Sequence, residues 1–292
     1  MRFVLIFASV VLLWGVNWPI MKVGLEGLTP LWFAAFRMAI GFVCLFPFVL
    51  IHARSIQPSR TDWPIILSVG ALQMCLGMGL VFVGLNVVEA GRSAVLSYTT
   101  PLWIAPIAWL WIGERLGAYR FFGLLFGLLG LGLLFNPLAF DWQDPTALSG
   151  NVLLLVAAVS WAVAMTHVRA HAWHGPPLVT VFWQMVLAFF LLAAWAWVAE
   201  GPPRMSSDTQ TLLVLAYNGV IGTAYCFWAF IEVNRHLPAL TVALGSLAIP
   251  LIGVGTSALW LGEALTVSLL LGLAAIFTGV VLTALAHWPR KA

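Results

Sequence analysis

Ten runs of apolar residues, each about twenty long, alternate with short polar breaks along the chain: 4–22, 31–51, 63–84, 92–112, 119–136, 148–167, 178–198, 210–230, 240–260 and 267–287. A helix rises about 1.5 Å per residue, so about 20 apolar residues cross the hydrocarbon core of a bilayer. The breaks carry loop chemistry: His52 to Asp62 with its Arg, Gln and Pro, Asn136 to Pro145, and Glu200 to Asp208. Only helices and closed barrels satisfy their own backbone in lipid. Barrel strands alternate over about ten residues, whereas these runs are apolar on all faces and much longer. The pattern predicts an all-α integral membrane protein of ten transmembrane helices.

Composition agrees. Of 292 residues, 62% are hydrophobic and 8% charged, against about 25% charged in a soluble domain. Lipid must be part of the solvent. The net charge of +3 is spread over short loops and forms no basic patch that would suit nucleic acid. Cys44, Cys75 and Cys226 each sit inside an apolar run, without metal-ligand spacing or a disulfide framework. The first run could pass for a signal peptide, but no small-x-small site closes it, and it is read as the first membrane helix.

Lysine and arginine give the orientation. With the N-terminus cytoplasmic, the inner loops hold Arg2, Arg54, Arg60, Arg115, Arg120, Arg169, Arg235, Arg290 and Lys291, and the outer loops hold Lys22, Arg92 and Arg204. This asymmetry places both termini in the cytoplasm, in a cytoplasmic (inner) membrane.

The chain also repeats itself. A shift of 149 residues lays Pro101 on Pro250, Trp111 on Trp260, Gly113-Glu114 on Gly262-Glu263, Gly123 on Gly272 and Gly130 on Gly279. A shift of 147 lays Pro30-Leu31 on Pro177-Leu178 and Met38 on Met185. Two units follow, 1–140 and 141–292. Each holds five spans, an odd number, so the second is inverted. Inverted repeats with a site between them are the architecture of many secondary transporters.

These motifs resemble the drug/metabolite transporter superfamily, in its ten-helix EamA-type branch. The resemblance rests on LLWGVNWPIMKVGLEGLTPLWFAAFRMAIG near the start, TTPLWIAPIAWLWIGERLGAYRFFGLLFGLLGLGLL later in the first half, and AIPLIGVGTSALWLGEALTVSLLLGLAAIFTGVVLTAL in the second. It spans nearly the whole chain. It departs at WAVAMTHVRAHAWHGPP, which lacks the Asn, Lys and Arg of the first half. The resemblance implies export of amino acids, amines or other metabolites. As a Trp-rich chain of this branch, with 16 tryptophans, it resembles the aromatic amino acid exporters.

A solute site needs polar or aromatic groups near mid-membrane. Trp14, Asn17 and Trp18 share a helix face at i, i+3 and i+4. The bland alternative is that Asn17 bonds a neighbouring helix and the Trps pack. Gln73 falls mid-helix, as lining or as helix glue. Tyr98 precedes Pro101, and Ser246 precedes Pro250, at related places where a kink could expose carbonyls. Trp161 stands in the second half as Trp14 does in the first. Arg37 lies inside a span, where it costs at least about 2–3 kcal/mol unless it snorkels or is paired. It attracts a carboxylate substrate or bonds helix-end carbonyls, the latter being favoured. Lys22 steers anions at the outer mouth or anchors the interface. Gly113-Glu114 and Gly262-Glu263 read as structural turns whose Glu serves the next helix. The glycines of helices 5 and 10 permit close packing, including that of a homodimer.

No Asp or Glu falls mid-span, which favours passage down the solute gradient over proton antiport of drugs or amines. An intramembrane enzyme would need a nucleophile and base or a metal cluster. His167, His171 and His174 lack a convincing ligand pattern, and no nucleotide loop is present. No cofactor, metal or catalytic residue is expected. A non-transporting scaffold is disfavoured by the short loops.

Overall fold

The computed structural model describes residues 1–53, 55–113, 117–135, 145–171, 175–237 and 239–285. Arg54, Glu114, Arg115, the loop 136–144, His174, Arg290 and Lys291, all singled out above, lie outside them. Among the described residues the chain is helical, with one isolated antiparallel bridge between Leu28 and Met205.

The helices follow the apolar runs. Helix α1 is Arg2–Gly24 and α2 is Pro30–His52. A short 3-10 turn, Arg60–Asp62, leads into α3 (Trp63–Ser68), a π-helical segment π1 (Val69–Gly77) and α4 (Met78–Val87). Next come α5 (Ala90–Ser97), α6 (Thr100–Ile112) and α7 (Ala118–Phe135). The later chain forms α8 (Pro145–Ala170), α9 (Pro177–Glu200), α10 (Thr209–Ala216), a second π segment π2 (Tyr217–Tyr225) and α11 (Cys226–His236). It ends with α12 (Ala239–Ser246), α13 (Ala248–Leu261) and α14 (Val267–Leu285). Among the described residues seven helical stretches are long and apolar enough to cross a membrane, and the shorter apolar helices Ala118–Leu134 and Ala248–Leu261 accompany them. The protein is a multi-pass membrane protein.

Local chemistry sets the boundaries. Pro30 and Pro177 open α2 and α9, where a missing N–H costs nothing. Gly113 and Gly262 close α6 and α13 with φ of 69° and 70°, a left-handed cap that a Cβ would strain. The chain breaks at Tyr98–Thr99, before Pro101, and at Leu247, before Pro250.

The closest pairing joins α7 and α14. A methyl on Gly130 would sit 2.7 Å from the carbonyl oxygen of Gly272, and one on Gly279 would sit 2.5 Å from that of Gly123. The two glycine faces are therefore spent on each other within one chain. Of the glycines on α7 only Gly132 has open space beside it.

Elsewhere α2 packs on α9 and π2, α9 on π1, α1 on α13 and α11, and α8 on α6 and α4. The chain ends of α1, α4, α9 and α13 meet the starts of α2 and α5 at one end of the bundle. The ends of α2 and α11 and the start of α9 lie at the other.

Candidate functional site

Three of the residues singled out in the sequence converge on π2. Trp14 Nε1 donates to the carbonyl of Gly222 at 2.9 Å. Arg37, only 2% exposed, donates through Nε to Thr223 Oγ1 at 2.8 Å and through Nη2 to the same Gly222 carbonyl at 3.3 Å. The amide of Asn17, 3% exposed, lies 3.5 Å from where a Cβ on Gly222 would stand. A π segment widens the backbone ladder to i→i+5 and leaves carbonyls less completely met. Thr223 Oγ1 takes up one of these, donating to the Asn218 carbonyl at 2.7 Å. A Cβ on Gly222 would meet the Asn17 amide at ordinary contact distance, so the two groups are close neighbours.

Arg37 has no carboxylate at ion-pair distance among the described residues. Its Nη1 faces the thioethers of Met21 at 3.4 Å and Met78 at 3.6 Å, and its guanidinium lies 5.7 Å from the centre of the Phe82 ring. Arg37 bonds a backbone carbonyl here, that of Gly222. The carbonyl belongs to the middle of a helix rather than to its end. Asn17 Oδ1 is buried without a hydrogen-bond partner.

The other candidates are more dispersed. Trp18 packs away from this cluster, against Gly253 of α13. Tyr98, half-buried at the break in its helix, borders the same apolar cluster as Trp14, with Phe7, Val11 and Ile249. Gln73 is buried in π1. Trp161 stands 3.6 Å from where a Cβ on Gly77 would be, at the end of π1, and its neighbour Ser160 donates to the π1 carbonyl of Leu72 at 2.7 Å. Ser246 spends its hydroxyl on its own helix, on Val242 O at 2.7 Å. His167 shares a hydrogen bond with Ser68 Oγ at 2.7 Å, and His171 meets Asp62 Oδ1 at 3.0 Å.

One end of the bundle is closed by polar contacts. Lys22 Nζ donates to the carbonyls of Leu85 (2.6 Å), Asn86 (3.1 Å) and Val88 (2.9 Å), capping the end of α4. Glu263 accepts from the backbone N–H groups of Ala90 (2.6 Å) and Gly91 (2.8 Å) at the start of α5. A carboxylate is favoured at a helix N-terminus. Glu263 therefore serves a helix start, as expected, but α5 rather than the following α14. Glu200 likewise accepts from Leu31 N at 2.8 Å and Trp32 N at 3.3 Å, the start of α2. Between these contacts, burial first and Glu263 second push the Glu89 carboxyl above its ordinary value, against the pull of Arg92 and Lys22.

At the opposite end a cleft of about 590 Å³ opens between α2, the start of α9, π2 and α11. Cys44, Phe48 and His52 form one wall, and Ala224, Tyr225 and Trp228 another. None of the nine residues picked from sequence lines it. Val220, Ala224 and Tyr225 of π2, the segment to which Arg37 and Trp14 donate hydrogen bonds, line it. Tyr225 shares a hydrogen bond of 2.8 Å with Ser9 Oγ on α1. Tyr225, which with Gln184 and Asn218 stands out in the sequence as a polar residue in an otherwise apolar helix, does line the cleft.

Comparison with known proteins names the group. An uncharacterized transporter YoaV of Bacillus subtilis is 30% identical over 286 residues, 97% of each chain. A protein of Escherichia coli named "Probable amino-acid metabolite efflux pump" is 26% identical over 97% of this chain and 95% of its own. A crystal structure with 21% identity matches with a TM-score of 0.66, covering 100% of this chain and 99% of that one, and shows the same fold. The model of the EamA-like transporter family matches twice, over residues 1–136 and 148–285, and the chain belongs to that family.

Proposed function

We propose that this protein is a secondary transporter that carries small metabolites, amino acids or related solutes, across the cytoplasmic membrane by alternating access between two inverted five-span repeats, 1–140 and 141–292. Ten spans result if α5–α6 and α12–α13 each count as one broken helix and the shorter helices are included. Features recur at the repeat spacing: π1 and π2 are 148 residues apart, the αL caps at Gly113 and Gly262 are 149 apart, and the breaks at Tyr98 and Leu247 are 149 apart. An odd number of spans per repeat inverts the second, and the Lys and Arg distribution supports cytoplasmic termini.

The observation that carries this reading is an asymmetry. Exchanging the halves turns most helix pairs into one another: α1–α13 into α8–α6, α2–π2 into α9–π1, and α4–α8 into α11–α1. At the latched end α2 packs on α4, α1 on α4 and α5, and α5 on α13. Of their counterparts, α9 with α11 and α8 with α11 lack comparable packing among the described residues. Two equivalent ends in unequal states are what one half-cycle of alternating access requires. With the termini cytoplasmic, the cleft faces inward. Its volume lies in the range of small-solute sites.

The solute class draws on the relative named as an amino-acid metabolite efflux pump. The absence of a carboxylate from the middle of the described spans supports flow down the solute gradient. The test is counterflow of labelled amino acids and amines in proteoliposomes. The reading expects saturable exchange that survives collapse of the pH gradient. Exchange no faster than in empty liposomes contradicts it.

A further inference from the structure

Two incompletely partnered groups border Gly222, and together they define a ligand. The first is Arg37. Its charge sits inside the membrane region at 2% exposure with no carboxylate at ion-pair distance among the described residues. Its Nε is met by Thr223 Oγ1, and Nη2 makes one long bond to Gly222 O. Nη1 faces only the sulfurs of Met21 and Met78. Thioethers are weak acceptors, and Met side chains repack readily. A guanidinium in such surroundings is held by partners far weaker than a carboxylate, with which Arg forms paired, charge-assisted bonds.

The second is Asn17. Its Oδ1 is buried and accepts nothing. An unmet buried acceptor costs about 1–3 kcal/mol. Asn17 and Met21 stand at i and i+4 on α1, so the amide lies one helical turn, about 5–6 Å, from the Met that covers Arg37. Both groups border the same Gly222 backbone. The cluster thus lacks one anion and one donor, a few ångströms apart.

We propose, on the reading that this chain is a transporter, that Arg37 and Asn17 bind the head of a zwitterionic α-amino acid. Arg37 takes the carboxylate after the thioethers of Met21 and Met78 swing aside, and Asn17 Oδ1 accepts from the ammonium. The solute reaches them past π2, which lines the open cleft through Val220, Ala224 and Tyr225. No covalent step is involved. Arg37 then has two alternating partners, the π2 carbonyl when the site is empty and the substrate carboxylate when it is filled. Release of π2 by Arg37 would couple occupancy to the movement of α11.

The test measures binding to the purified full chain and uptake into proteoliposomes for matched triplets: an apolar amino acid, its decarboxylated amine and its N-acetyl derivative. The wild type is expected to bind the zwitterion at least about tenfold more tightly than either analogue. Arg37→Gln should abolish the preference over the amine, and Arg37→Lys should restore part of it. Asn17→Ala should abolish the preference over the N-acetyl acid. A merely structural Arg37 would lower affinity for all three compounds together. The wild-type triplet needs no variant to fold, and it decides alone if Arg37→Gln does not. Equal binding of amine and zwitterion by the wild type overturns the proposal and leaves the transporter reading standing. No counterflow of any compound overturns both.

Discussion

The Glu263 carboxylate reaches the backbone of Ala90, 173 residues earlier, and accepts its N–H at 2.6 Å while also holding that of Gly91. The contact ties the end of α13 to the start of α5, across the boundary between the two halves. With Lys22 on the end of α4, it clamps the short segment 85–91 from both sides. Hydrogen bonds to a charged group contribute about 1.5–3 kcal/mol each, enough to bias two states that differ by a few kcal/mol. Glu263→Gln keeps the shape and loses the charge. It should raise the rate at which a cysteine placed at the buried Ser93 reacts with an impermeant maleimide, by about tenfold. An unchanged rate would mean that the clamp does not hold this end shut.

The hydroxyl of Thr223 works in two directions, accepting from Arg37 and donating to the Asn218 carbonyl. Thr223→Val removes both bonds at constant shape and leaves a buried charge short of an acceptor. The expected loss is about 2–3 kcal/mol of stability, seen as a lowered unfolding midpoint in detergent, whereas Thr223→Ser should stay near wild type. Equal midpoints for the two variants would show that π2 does not depend on this link.

The seam between α7 and α14 has no room for a side chain at Gly130 or Gly279. Gly130→Leu should destabilise by more than about 3 kcal/mol, the upper range of ordinary overpacking, since the obstacle is backbone. Gly132→Leu, on the open side, should be tolerated. The paired unfolding curves check this, and a dimer through the outer face of α7 would reverse the order in a cross-linking assay.

Asp208 caps α10, accepting from Thr211 N at 2.9 Å and Thr211 Oγ1 at 2.8 Å. A bond with Ser206 first, then those with Thr211, hold its pKa down to about 2 from an ordinary 3.8. The folded value is depressed, so the stabilisation is fully present above 3.8 and is lost as pH falls toward 2. Hydrogen exchange at the Thr211 amide should therefore lose protection across that interval, and Asp208→Ala should lack it at every pH.

Much of this architecture is legible in the residues. The apolar runs mark the helices because lipid leaves them no other face to hide. Pro101 and Pro250 announce the helix breaks, and Gly113 and Gly262 announce the caps, because those backbones admit few other residues. The grouping of Trp14 and Asn17 on one face also carries over. What stays hidden depends on distant partners. Nothing near Glu263 says that its N–H donors lie at Ala90 rather than at the start of α14. The glycines of α7 look equally suited to a second chain until α14 is seen against them. The π geometry of Val69–Gly77 and Tyr217–Tyr225 leaves no mark in apolar periodicity, so polar Tyr225 is the one sign of a cleft otherwise walled by ordinary Cys44 and Phe48.

The central claim is that the two ends of the bundle open in turn. Cys44 lines the cleft, half-exposed, whereas Cys75 and Cys226 are buried. Maleimide labelling of Cys44 and of a cysteine at Ser93 should be followed in one protein while a transported solute is added from each side of the membrane. The account predicts reciprocal changes, Cys44 losing reactivity as position 93 gains it. Reactivities that rise and fall together, or that ignore a solute which is demonstrably carried, would contradict it.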